Sequence, residues 1–188
     1  MIVNPLTGLI DRARQCPSPH CDERPPGVAL DTVVVHGISL PPGEFGGPWI
    51  DALFAGRLDP GAHPYFAGLQ GLRVSAHVLI RRDGEPVQYV PFGRRAWHAG
   101  QSSFQGRPRC NDFSVGVELE GCDHVPYTDA QYRALATLIA ALRRAYPDIA
   151  PDRITGHSDI APGRKTDPGP AFDWPRLRRA LAAGQVKE

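Results

Sequence analysis

Two of the seven histidines lie where the chain passes from regular to irregular structure. His36 ends an apolar run and precedes Gly37 and a loop rich in proline and glycine. His157 opens a second irregular stretch, 156–170, which also contains Asp167. Functional side chains often lie where strands end in such loops. Two imidazoles and one carboxylate could hold a zinc ion and leave a fourth position for water or substrate, the pattern of a catalytic zinc site.

The stretch 156–170 also has a plainer interpretation. Its composition is typical of a solvated turn in which aspartates such as Asp159 cap backbone amides, and it is not expected to form a helix or a long strand. The candidate ligands are far apart in sequence, so their spacing alone does not establish a site. Lys165, two residues before Asp167, could place positive charge near an oxyanion or could be an ordinary surface lysine.

A candidate acid or base lies on the predicted strand Ser114–Glu120. Alternation places Ser114, Gly116, Glu118 and Glu120 on one face of this strand and its apolar residues on the other. Glu118 is attractive because Gly116 beside it would leave room for a ligand. Glu120 is equally eligible on local features, and either carboxylate could simply face solvent.

The elements that position these residues follow from periodicity and turn signals. An apolar stripe at helical spacing predicts a helix at 129–146, with Thr128 as N-cap and Gln131 at the capping-box position. Asp-Gly at 83–84 predicts a hairpin turn. Strands are predicted at 32–36, 75–80, 86–90, 114–120 and 153–156, with further helices at 49–55, 63–69 and 174–183, the last closed by Gly184.

Strands and helices mix without strict alternation, which favours an α/β fold of the α+β type. We expect a single loop-rich domain with a mixed central β-sheet flanked by helices. Residues 1–30 are expected to be a lead-in packed on the surface of a domain that spans 31–188. The 20 glycines and 20 prolines agree with many loops and short elements.

Composition excludes several classes. The chain has 188 residues, a formal net charge of +1 and 41% hydrophobic residues, which argues against disorder and nucleic-acid binding. No segment approaches the roughly 20 apolar residues that a membrane-spanning helix needs. If Met1 is the native start, the absence of a basic segment before the first apolar residues predicts a cytoplasmic protein. Cys16, Cys21, Cys110 and Cys122 are expected to be free thiols, although Cys16, His20 and Cys21 lie close enough in sequence to bind metal.

Long motifs distributed over the chain resemble one family. The stretch 156–174, which reads GHSDIAPGRKTDPGPAFDW, is similar to the last motif of the type 2 N-acetylmuramoyl-L-alanine amidases. Within that family it resembles the members that act on 1,6-anhydro-muropeptides in the cytoplasm. Four further stretches agree, at 35–49, 73–84, 95–100 and 109–121, so the resemblance runs from about Cys16 to Trp174.

The resemblance implies a role for each matching residue. His36, His157 and Asp167 match the ligands of one zinc ion, Glu118 rather than Glu120 matches the catalytic carboxylate, and Lys165 matches a cation that assists the transition state. The positions that contact the muropeptide match Arg73, Trp97, His98 and Arg109. For Trp97 a core position, and for His98 a packing or hydrogen-bonding role, stay open as alternatives. A monomer that binds neither nucleic acid nor membrane is expected.

Three positions depart from the family pattern. Gly37 stands where many members have Asn, which removes a possible hydrogen bond near the site. Ala76 stands where more distant members have a catalytic Tyr, so the acid–base role is expected to fall on Glu118. Ser158 replaces a Cys, with little consequence expected.

Three other functions compete with the amidase interpretation. A non-catalytic peptidoglycan-recognition module of the same fold typically lacks a zinc ligand, whereas all three are present here. A broad-specificity envelope amidase should carry an export or lipid signal. An unrelated zinc peptidase would be expected to carry an HExxH helix, which the sequence lacks.

Overall fold

A computed structural model describes residues 1–184. Four helices are present, α1 (Trp49–Phe54), α2 (Asp129–Ala145), α3 (His157–Ile160) and α4 (Trp174–Gly184), together with 3₁₀ turns at Pro64–Leu69, Cys110–Asp112 and Pro151–Arg153. The strands are β1 (Val3–Asn4), β2 (Leu9–Ile10), β3 (Arg14–Gln15), β4 (Cys21–Glu23), β5 (Thr32–Ile38), β6 (Val78–Ile80), β7 (Pro86–Gln88), β8 (Arg94–Ala96), β9 (Ser103–Phe104), β10 (Arg107–Pro108), β11 (Ser114–Glu120) and β12 (Ile154–Gly156).

Six strands form a mixed central sheet in the order β12-β5-β11-β6-β7-β3. The four strands from β12 to β6 are parallel, β7 returns antiparallel through the predicted turn at 83–84, and β3 runs parallel to β7 at the edge. The mixed α/β class expected from the sequence is therefore confirmed. Within residues 1–184, no helix is long and apolar enough to cross a membrane.

Alternating side chains of the sheet enter two different cores. Val33, Val35 and Val117 pack against the apolar stripe of α2, with Leu177 of α4 in the same cluster. On the other face, Leu79 joins a second cluster that contains α1 and the turn at Pro64–Leu69. Because both faces are covered, every residue of β11 is buried, including its polar ones.

Local signals predicted α2 closely. Thr128 accepts a hydrogen bond from the amide of Gln131, and the Gln131 side chain accepts one from the Thr128 amide, which completes the capping box. The same Gln131 side chain donates to the carbonyls of Ile80 and Glu120, so the cap also ties the helix to the sheet.

The stretch after β12 differs from the sequence expectation. Residues His157–Ile160 form the short helix α3, although no helix was expected there. Asp159 makes this turn possible, because its side chain accepts from the Gly156 amide and from the Thr155 hydroxyl and so caps the first turn. The prediction was wrong because it rested on the proline and glycine content of the whole stretch. Asp159 stabilises a single helical turn that ends before the first of these prolines and glycines.

Residues 1–30 contribute more than a surface covering. They supply β3 to the central sheet, and β4 pairs with β8. The guanidinium of Arg24 donates to the carbonyls of Phe92, Asn111, Asp112 and Ser114, which fixes this segment to the start of β11. Burial lowers the pKa of Arg24 to about 10.

Candidate metal centre and active site

The parallel sheet brings the candidate ligands to one edge. His36 in β5 pairs in register with Glu118 in β11, and His157 directly follows β12, the neighbour of β5 on the other side. The ends of adjacent parallel strands meet at the same edge, so residues 121 positions apart become neighbours. Asp167 lies in the loop after α3. The Ser158 amide donates to the Asp167 carbonyl and so holds this part of the loop beside His157.

Three donor atoms converge at this edge. His36 Nδ1 lies 2.9 Å from His157 Nδ1 and 3.2 Å from Asp167 Oδ2, and His157 Nδ1 lies 3.0 Å from the same oxygen. Both histidines are buried, and Asp167 is partly exposed. They are the one group of three possible metal-binding side chains found among residues 1–184.

This donor set fits a zinc ion. Donor atoms of a tetrahedral zinc site, with bonds of about 2.0–2.1 Å, lie about 3.3 Å apart, close to the separations here. His157 Nε2 lies 3.3 Å from the Ala99 carbonyl, so it carries the proton and leaves Nδ1 free to bind metal. Burial lowers the pKa of His36 to about 4 and keeps its imidazole neutral, the form that binds metal.

Glu118 faces this centre with an unpartnered oxygen. Its side chain is buried. Among the buried side-chain nitrogen and oxygen atoms of the described residues, only Glu118 Oε2 and the Tyr146 hydroxyl have no hydrogen-bond partner. Burial raises the pKa of Glu118 well above its ordinary value, and the nearby Asp167 raises it further, while Lys165 acts in the opposite direction. A buried carboxyl without a partner is costly, so it is a strong candidate for a group that acts on a bound molecule.

Glu120 is committed to structure. Its carboxylate accepts from the Gly46 amide and from Arg81 and Arg82, so it holds the 37–48 loop against the hairpin. The two glutamates that were equivalent on local features therefore have different surroundings, and only Glu118 points to the candidate centre.

The sequence predicted that Gly116 leaves room for a ligand, and this prediction was wrong, because the His98 ring fills the space over it. A Cβ at this position would lie 2.6 Å from Cδ2 and Nδ1 of His98, whose ring occupies the space. His98 in turn contacts the metal centre, because its Nδ1 lies 2.9 Å from His36 Nε2. Its Nε2 lies 3.3 Å from the Ser114 hydroxyl, so both ring nitrogens are engaged by the protein.

A cleft of about 520 Å³ opens over the centre. Arg73, Trp97 and Lys165 line it along with the three candidate ligands, Glu118 and His98. The Arg73 guanidinium lies 6.0 Å from the centre of the Trp97 ring, and the Trp97 indole donates to Asp22. A second cavity of about 310 Å³ adjoins the cleft at Arg73.

Arg109 does not line the cleft. Its side chain is 69% exposed and pairs with Asp112 at 3.1 Å. Its backbone is left-handed, with φ of 63°, which a residue other than glycine adopts only at a cost. Its amide donates to the Ser102 carbonyl, so the residue lies beyond the Gly100 end of the cleft.

Gly37 has a structural explanation that the sequence did not reveal. A Cβ there would overlap the hydroxyl of Tyr127, which donates to the Pro168 carbonyl directly after Asp167. The missing side chain thus makes room for a tyrosine that holds the Asp167 loop. Tyr127, Asn111 and Ser114 are positions near the centre that the sequence analysis did not select. Their roles depend on contacts with residues that are distant in sequence, so no local sequence pattern reveals them.

A convergent His-His-Asp set beside an unpartnered buried carboxyl, at the edge of a mixed sheet, defines a candidate metallohydrolase. The chain belongs to the N-acetylmuramoyl-L-alanine amidase family, whose model matches residues 26–170. It is 67% identical over 171 residues to the 1,6-anhydro-N-acetylmuramyl-L-alanine amidase AmpD of Escherichia coli (strain K12), covering 91% of this chain and 93% of that protein.

Solved structures agree with this assignment. A crystal structure of a Se-Met AmpD derivative superposes with a TM-score of 0.93 at 64% identity, covering 96% of this chain and 99% of that one. The amidase AmiD of E. coli, in complex with the substrate anhydro-N-acetylmuramic acid-L-Ala-D-γ-Glu-L-Lys, superposes with a TM-score of 0.59 at 28% identity. That match covers 84% of this chain and 60% of AmiD.

Proposed function

We propose that this chain is a zinc-dependent amidase. It hydrolyses the bond between 1,6-anhydro-N-acetylmuramic acid and the L-alanine of a muropeptide during peptidoglycan recycling. The observation that carries the proposal is the convergence of His36, His157 and Asp167 beside the unpartnered Oε2 of Glu118. The curated relative named above and the substrate-bound AmiD support the choice of bond.

His36, His157 and Asp167 would hold the zinc ion. Bound in a site with three protein ligands, zinc supplies Lewis-acid polarisation of water and of a carbonyl group. The protein contributes neutral imidazoles in the correct tautomer and a closely placed carboxylate, so the donor set is organised before metal binds.

Glu118 is the proton carrier in this proposal. Its carboxylate accepts a proton from the attacking water as the water oxygen bonds to the lactyl carbonyl carbon. The carbon–nitrogen bond then breaks, and Glu118 returns the proton to the leaving amine of L-alanine. The products are the free anhydromuramic acid and the stem peptide. A carboxyl with a raised pKa and no competing partner suits both transfers.

The cations around the cleft bind the charged parts of the substrate in this proposal. Lys165 neutralises the oxyanion that develops on the carbonyl. Arg73 and Arg109 bind carboxylates of the stem peptide, and Trp97 packs against the peptide or sugar. Arg109 would reach the peptide from beyond the cleft by exchanging its exposed ion pair with Asp112 for a carboxylate of the substrate.

We further propose that the chain acts in the cytoplasm as a monomer, without nucleic-acid or membrane partners. The near-neutral net charge of +1 supports the absence of a nucleic-acid partner. The recycling role would place the enzyme where imported muropeptides accumulate.

The deciding experiment is incubation with an anhydromuramyl-tripeptide, followed by mass spectrometry of the products. We expect free tripeptide and anhydro sugar, loss of both on chelation, and their return when zinc is added back. Binding without cleavage by the zinc-loaded protein would contradict the proposal and would instead indicate a peptidoglycan-recognition module.

A further inference from the structure

His98 touches the candidate centre from behind. Its Nδ1 lies 2.9 Å from Nε2 of His36. This is the ring nitrogen of His36 that does not face the metal, since Nδ1 is the candidate ligand. The two rings meet edge to face with centroids 5.0 Å apart. His98 therefore lies where a residue can control how His36 presents Nδ1 to a metal.

The hydrogen bonds assign every proton in this contact. The Ser114 hydroxyl donates to the Cys110 carbonyl, so it must accept from His98 Nε2, 3.3 Å away. His98 Nε2 then carries the proton and Nδ1 is an acceptor. That acceptor requires the proton of His36 to be on Nε2, which leaves His36 Nδ1 with a free lone pair.

The backbone of the same segment supports the second histidine. The Ala99 carbonyl accepts from His157 Nε2 at 3.3 Å. The side-chain oxygen of Asn111 accepts from the amides of both His98 and Ala99, at 3.1 and 2.8 Å, and so clamps the segment. Gly116 provides the space for the His98 ring, because any side chain there would collide with it.

We propose that His98 is a positioning residue that fixes the tautomer and ring orientation of the metal ligand His36, through a chain of hydrogen bonds ending at Ser114 and the Cys110 carbonyl. This inference rests on the proposed zinc site. It gives His98 a role different from the substrate contact implied by resemblance, because neither ring nitrogen is free to bind a peptide. Outer partners of metal-bound histidines typically affect metal affinity by 10- to 100-fold.

The test compares two replacements of His98 that differ in one property. His98→Phe fills the space of the ring but provides no acceptor, whereas the side-chain oxygen of His98→Asn occupies the place of Nδ1 and can still accept from His36. The zinc dissociation constant of each purified full-length variant is measured by competition with a chromophoric chelator. The thermal midpoint of the metal-free protein is recorded alongside, to separate metal binding from folding.

We expect His98→Phe to weaken zinc binding by about 10- to 100-fold. His98→Asn should recover most of that affinity, with metal-free midpoints similar in the two variants. Unchanged zinc affinity in His98→Phe, or equal losses in both variants, would overturn the inference, as would a raised KM with normal zinc binding. If the unaltered protein binds zinc but does not cleave the muropeptide, the proposed function fails while the His98 result stands.

Discussion

At the scale of single residues, the environment rather than the residue type separates catalysis from structure. Glu118 and Glu120 share a strand, a face and near-complete burial. Glu120 has three donors around its carboxylate, whereas Glu118 Oε2 has none. The first arrangement stabilises the fold, and the second leaves a reactive group available at a cost in stability.

Glu118→Gln tests the catalytic side of this contrast. Removal of the proton carrier should lower kcat by at least about 100-fold, while zinc binding is retained because the ligands are untouched. The free energy of unfolding should not fall, since a buried carboxyl without partners is replaced by a neutral group of the same shape. Product formation by mass spectrometry and zinc titration measure the two effects. Equal loss of activity and zinc would contradict the assignment.

Glu120→Ala tests the structural side. Arg81 would keep Asp51 at 3.0 Å but lose Glu120. The Gly46 and Arg82 amides would lose their acceptor, so we expect a destabilisation of about 1–3 kcal/mol. Glu44→Ala, on the exposed part of the loop that Glu120 holds, is the matched control and should change stability little. Urea unfolding of both variants gives the comparison, and similar midpoints would show that the Glu120 network contributes little.

At the scale of elements, the site depends on loops that are fastened to one another. Tyr127, just before α2, donates to the Pro168 carbonyl next to Asp167, and Gly37 at the end of β5 provides the room. Thus the start of a helix, the end of a strand and the ligand loop meet at one hydroxyl.

A double-mutant cycle tests this meeting point. Gly37→Ala should destabilise the protein by about 1–3 kcal/mol, because its Cβ overlaps the Tyr127 hydroxyl. Tyr127→Phe should cost about 1 kcal/mol through the lost hydrogen bond. In the double variant the overlap is absent, so the combined loss should be smaller than the sum. Denaturant unfolding measures all three variants, and strict additivity would contradict the proposed contact.

At the scale of the whole molecule, the first thirty residues are integrated through a buried cation. Arg24 satisfies four backbone carbonyls that belong to three later segments of the chain. Two of those carbonyls belong to Asn111, the residue that clamps the His98 segment, and to its neighbour Asp112. The N-terminal segment therefore supports the candidate centre without touching it.

Arg24→Met should lower the free energy of unfolding by roughly 3 kcal/mol or more, since the apolar side chain leaves buried carbonyls unpaired. Arg133→Met, on the exposed surface of α2, is the matched control and should have little effect. Thermal unfolding monitored by circular dichroism gives both values. Equal midpoints would show that the 1–30 segment is not fastened through Arg24.

The sequence by itself determined the features that depend on local physics. Helical spacing with the Thr128 capping box predicted α2, and alternation predicted β11 with its correct limits. The resemblance identified His36, His157 and Asp167 as the candidate metal ligands. Local features pointed to the same three residues but did not establish a site. In each case the signal lies within a few residues of the position it concerns.

Only the tertiary structure decided which groups have partners. Nothing within the local sequence distinguishes Glu118 from Glu120, because Arg81 and the Gly46 amide approach from other parts of the chain. The ring of His98 fills the space over Gly116, and the Tyr127 hydroxyl fills the space over Gly37, for the same reason. Hydrogen-bond satisfaction and steric exclusion are set by contacts between distant segments, so they exist only once the parallel strands have brought those segments together.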